Sequence, residues 1–96
     1  MNLSPEIVKN LLNMLVSPKY PGLIYDYKVD LVDLSAFNTV QIDVGVIVYP
    51  EKYYELESYD ENPFNGLDSH VHDDVRDALK YLGNNRPNVS LYVLED

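Results

Sequence analysis

The run Val40-Gln41-Ile42-Asp43-Val44-Gly45-Val46-Ile47-Val48 sets Val40, Ile42, Val44, Val46 and Val48 against Gln41, Asp43 and Gly45. A two-residue period of this kind belongs to a strand with one buried face. Upstream, Tyr25, Tyr27, Val29 and Leu31 alternate with Asp26, Lys28 and Asp30 in the same way. Between the two runs, Ser35-Ala36-Phe37-Asn38 is short enough for a hairpin, so the strands are expected to be antiparallel. The alternation slips at Val32–Leu34, which predicts a bulge or a strand end there. Tyr25 and Tyr27 both fall on the apolar side and are expected in the core. The polar side of the hairpin should be wet.

Helices flank this hairpin in the chain. Ser4 suits an N-cap, Pro5 the first helical position, and Glu6 the positive end of the helix dipole. Ile7, Val8, Leu11, Leu12, Leu15 and Val16 then recur at helical spacing, and Asn10 and Asn13 fall outside the stripe. The segment 17–22, Ser-Pro-Lys-Tyr-Pro-Gly, ends the helix. A second helix is predicted from Asp68 or Ser69 to Leu82, with Val71, Val75, Ala78, Leu79 and Leu82 as its apolar stripe. Asp73 and Asp74 sit early in it, Lys80 late, and Gly83 stands where a left-handed C-terminal residue belongs. Val89, Leu91 and Val93 mark a last strand over Val89–Leu94.

Residues 50–67 admit two readings. Tyr54, Leu56 and Ser58 alternate with Tyr53, Glu55 and Glu57, as in an edge strand over Lys52–Ser58. Pro50-Glu51 is equally a helix start. The stretch from Asp60 to Gly66 reads as a loop, with Asn65-Gly66 a turn signal. The expected fold is therefore α+β and two-layered, in the order α-β-β-(β)-α-β. A small mixed sheet of three or four strands would carry two helices on one face. A helix between strands favours a right-handed crossover, which brings the last strand beside a hairpin strand. This order resembles one type of KH domain, but the G-x-x-G loop of that family is missing and the charge opposes RNA.

Ninety-six residues make one domain spanning 1–96, and 46% hydrophobic content is too high for a disordered chain. With no cysteine, disulfides, thiolate nucleophiles and sulfur-ligated metals are excluded. The N-terminus lacks a basic region and an apolar signal core, and no run reaches the roughly 20 apolar residues of a membrane span. A soluble cytoplasmic protein is the expectation. The net charge is −9, and the seven basic residues do not cluster. Such a chain repels nucleic acid and anionic membrane surfaces and attracts a basic protein.

Catalytic and metal motifs fail one by one. His70, His72, Asp73 and Asp74 begin like H-x-H-x-D-H, but Val75 stands where the last histidine belongs, and no later histidine exists. On a helix His70 and Asp74 share a face while His72 points elsewhere. Counted from Asp60, the acidic loop puts glycine seventh and Val71 twelfth, where an EF-hand needs glycine sixth and glutamate twelfth. No Gly-x-Ser-x-Gly elbow and no phosphate-cradling glycine loop occur. The expectation is a non-enzyme without cofactor, catalytic residue or metal ligand.

What stands out is charge placement. Residues 51–77 carry nine acidic against two basic residues, a net of −7, whereas residues 1–50 sum to −2 and residues 78–96 to zero. The sharpest part is Glu51, Tyr53, Tyr54, Glu55, Glu57, Tyr59, Asp60 and Glu61, where tyrosines interleave with carboxylates. Tyrosine supplies contact area at low entropic cost and is enriched at interfaces. These eight residues are the candidate partner-binding set of a protein–protein interaction module. Homo-oligomerisation through a sheet edge or the bare sheet face is a further expectation. A nucleic-acid mimic that occupies a basic groove, and a small metal-binding protein using His70 and His72, are the alternatives.

Overall fold

The computed structural model describes residues 3–34, 39–58, 66–83 and 87–95. The hairpin is as the alternation predicts. Strands β1 (Ile24–Leu34) and β2 (Thr39–Val48) pair antiparallel, with Tyr27 opposite Val46, Val29 opposite Val44 and Leu31 opposite Ile42. Strand β3 (Asn88–Val93) joins parallel to β2, giving a three-stranded mixed sheet in the order β1-β2-β3. The expected last strand thus lies beside a hairpin strand. The connection at 35–38 lies outside the described residues.

The slip of alternation at Val32–Leu34 marks the end of β1, which closes at Leu34, while the register breaks at the other end of the strand. Pairing runs without interruption through Val32, Asp33 and Leu34, and the irregularity falls between Ile24 and Asp26. Ile24 pairs with Val48 and Asp26 with Ile47, so Tyr25 is the extra residue. A bulge re-aims the side chain it carries. Tyr25 is accordingly 53% exposed rather than in the core, while Tyr27 is fully buried.

Among the described residues three α-helices, not two, accompany the sheet. Helix α1 (Pro5–Leu15) starts at Ser4, whose Oγ accepts the Ile7 amide at 3.3 Å. It buries Val8 and Leu12, with Val16 just beyond, and leaves Ile7 exposed. Helix α2 (Pro50–Ser58) resolves the ambiguity of 52–58 in favour of helix. Pro50 occupies its first turn, and the Tyr53 amide bonds the Tyr49 carbonyl at 3.0 Å. Half-buried Tyr53 and Leu56 are three apart, so the inward face follows helical spacing and not strand alternation. Helix α3 (Leu67–Leu79) buries Leu67, Val71, Val75, Ala78 and Leu79. A 3₁₀ turn over Lys80–Leu82 follows, and Gly83 closes it with φ +76°.

The core forms where α1 and α3 cover one face of the sheet, against Tyr27, Val29, Ile42, Val44, Val46 and Val48. Each of these apolar side chains contributes roughly 1.5–3 kcal/mol of burial free energy. Tyr27 is anchored as well as buried, because its hydroxyl shares a 2.8 Å hydrogen bond with Ser17 Oγ. Ser17 in turn donates to Asn13 Oδ1 at 3.2 Å. The opposite face of the sheet is open, with Asp26, Lys28 and Asp30 in solvent. There Tyr92 lies over Gly45, where a Cβ would come within 2.9 Å of its ring. Among the described residues no helix is long and apolar enough to cross a membrane.

Candidate functional site

The predicted docking residues divide by helix geometry. Tyr53 turns inward, and its hydroxyl donates to Asp68 Oδ1 of α3 at 2.8 Å. Burial first, then that hydrogen bond and the nearby carboxylates, raise its phenol well above the ordinary tyrosine range. Tyr53 is thus a tie between α2 and α3. Tyr54 points out, 60% exposed, with its ring edge-on to Tyr53 at 5.4 Å. Glu51, Glu55 and Glu57 are exposed on the same short helix. Tyr59, Asp60 and Glu61 lie outside the described residues.

Two tyrosines missed by the sequence reasoning complete the surface. Tyr25, turned out by the bulge, meets Tyr49 edge-to-face with centroids 5.5 Å apart. Tyr49 is the residue before α2, and its amide is held by the Leu23 carbonyl at 2.8 Å. It is 43% exposed. Tyr49, Pro50, Glu51, Glu55, Gly22 and Leu94 line a groove of about 450 Å³. Tyr49, Glu51 and Glu55 therefore border the same hollow. Lys52 also lines it and lies 3.7 Å from Glu55 Oε1, an exposed pair that contributes little to stability. The signal available in the sequence was Ile24 beside Tyr25, two apolar residues where strict alternation allows one.

The acidic residues of α3 differ from those of α2 in having partners. Asp73 pairs with Arg76 at 3.5 Å and Asp77 with Lys80 at 3.2 Å. Asp74 accepts from Lys19 at 3.2 Å and from the Tyr20 hydroxyl. Burial and this carboxylate push the Tyr20 phenol strongly upward. On α2, Glu51 and Glu57 have no ion-pair partner among the described residues. Among the described residues, Glu51 and Glu57 of α2 and Asp68 of α3, which accepts from Tyr53, are thus the carboxylates of this stretch without a cationic partner.

The histidines do not converge. His70 is exposed and lines a second hollow, of about 520 Å³, with Lys19, Tyr20, Lys52, Leu56 and Leu67. His72 has an enclosed Nε2 without a hydrogen-bond partner among the described residues. The described residues contain no group of three or more histidines and carboxylates placed to hold a metal ion.

No family model matches the chain, and no curated protein or solved structure matches it either.

Proposed function

We propose that this protein is an interaction module that docks a basic protein segment on α2 and the adjoining Tyr25–Tyr49 pair. The groove beside Tyr49 carries the reading, because Glu51 and Glu55 share it with an exposed aromatic ring. A lysine or arginine side chain is the group that such a site complements. Its stem packs on the ring face, its charge interacts with the ring quadrupole, and Glu51 neutralises it, joined by Glu55 where the exposed contact of that residue with Lys52 gives way. Tyr54, four residues from Ser58 and three from Glu51 on the helix surface, extends the contact beyond the groove. Glu51 and Glu57, without an ion-pair partner among the described residues, speed encounter with a positive surface.

Random-peptide display against the immobilised protein tests this. Enriched peptides should carry arginine or lysine beside an apolar residue, and should lose binding to a Glu51→Lys/Glu55→Lys variant. Enriched peptides without a basic residue, or ones that bind the variant equally well, would contradict it. If the natural partner is released by duplex DNA, the module acts as a nucleic-acid mimic.

A further inference from the structure

We infer that the open edge of β3 pairs antiparallel with β3 of a second copy, joining two three-stranded sheets into one. The inference is independent of the docking surface on α2 and rests on different residues.

The two edges of the sheet are built differently. β1 is the longer, at 11 residues, and is defended in three ways. It carries a bulge at Tyr25, charges at Asp26, Lys28 and Asp30, and an exposed Asp33 in the row that continues the helix-covered face. Bulges and charges, inward-pointing ones included, are how edge strands avoid unwanted pairing. β3 has none of these. Its sequence, Asn-Val-Ser-Leu-Tyr-Val, is uncharged, free of proline and rich in strand-forming residues, and its pairing with β2 is regular throughout.

Hydrogen-bond direction fixes what this edge offers. The Leu94 amide bonds the Val48 carbonyl at 2.9 Å, so the alternation along the strand turns the amides of Ser90 and Tyr92 toward β2. Val89, Leu91 and Val93 present their N–H and C=O groups outward, and that edge pairs with no strand among the described residues. Their side chains, in the row that continues the core, are only half-buried, whereas Val44, Val46 and Val48 of the neighbouring strand are 0–2% exposed. A second copy placed with Leu91 opposite Leu91 satisfies the outward backbone groups. The same register sets Val89 against Val93 and extends the apolar row across the two-fold axis.

Charge selects the occupant. A chain of net −9 repels its own copies over most of its surface, but residues 78–96 sum to zero. β3 is where two copies approach without that penalty, and a highly charged partner gains nothing there.

Analytical ultracentrifugation over a concentration series, with hydrogen exchange on the same samples, tests the pairing. The protein should be dimeric and remain so at about 0.5 M salt, since little charge crosses the contact. In the dimer the amides of Val89, Leu91 and Val93 should exchange slowly, like those of Ser90 and Tyr92. Leu91→Lys should weaken dimerisation at least tenfold and free the three outward amides. Ser90→Lys, whose side chain stands on the open face, should weaken it without touching the core. A monomer at every concentration overturns the inference, as does a dimer whose three outward amides exchange freely. Glu51→Lys/Glu55→Lys should leave the dimer intact, and Ser90→Lys should leave peptide binding intact, so the two readings fail separately.

Discussion

Among the described residues, helix α2 and strand β3 are the α-helix and the strand that bury no residue completely, yet their surfaces are opposites. α2 carries Glu51, Glu55 and Glu57 against Lys52, with Tyr54 outward. β3 carries no charge at all. Both are held by half-buried apolar residues, Tyr53 and Leu56 in one, Val89, Leu91 and Val93 in the other. A small core leaves such elements with unused surface, and charge then decides what each can receive. In the proposed reading the acidic helix receives a basic stranger and the neutral strand a copy of itself.

The comparison is sharpened first through stability. Leu79→Ala, in the fully buried row of α3, should cost about 2–5 kcal/mol in chemical denaturation. Leu56→Ala, on half-buried α2, should cost clearly less than Leu79→Ala. Equal costs would show that α2 is as integral to the core as α3. Next in size, Glu51→Lys/Glu55→Lys/Glu57→Lys should weaken binding of a basic peptide by about 2 kcal/mol or more. Its melting temperature should stay close to that of the parent, since all three carboxylates are exposed. Tyr54→Ala should weaken the same binding by about 1–2 kcal/mol, again with little change in melting.

Smaller still is the effect of Tyr27→Phe, which removes the bond to Ser17 and should cost about 1 kcal/mol. It also carries a sign that can be checked. Burial pushes the Tyr27 phenol up to about 12, with the Ser17 bond acting in the opposite sense. The unfolded chain ionises first, near the ordinary value of about 10. The stabilisation from a neutral Tyr27 is thus complete below about pH 10 and declines as pH rises toward the folded value. Melting curves at increasing alkaline pH should fall less steeply for Tyr27→Phe than for the parent. An identical fall would remove Tyr27 from the account of alkaline unfolding.

Most of the fold could be read from periodicity. The valine alternation of β2, the capped stripe of α1 and the glycine after Leu82 each record a local rule, and packing obeyed them. Residues 52–58 were undecidable because Tyr53, Tyr54 and Leu56 satisfy either period for a few residues. The decision lay in Pro50 and in which tyrosine meets the core. The slip at Val32–Leu34 is the strand end, whereas the bulge escapes notice because Ile24 and Tyr25 lie at the very start of the strand, where one extra apolar residue looks like a boundary. That local error hid Tyr25 from the candidate surface. Tyr49 was hidden for another reason, since nothing local marks a residue as the meeting point of a strand end and a helix start. The acidic bias was legible from composition, and the pairs Asp73–Arg76, Asp77–Lys80 and Lys52–Glu55 from their i,i+3 spacing, whereas the Lys19–Asp74 pair and the Tyr53–Asp68 bond are tertiary contacts that no local pattern announces.

The most direct measurement is an amide-resolved NMR titration of the protein with an arginine-containing peptide recovered by display, at low and at moderate salt. Shifts should concentrate at Tyr25, Tyr49, Glu51, Tyr54 and Glu55, and the affinity should fall steeply as salt rises. Shifts centred on β3, or an affinity indifferent to salt, would contradict the assignment of α2 and its tyrosines as the docking surface.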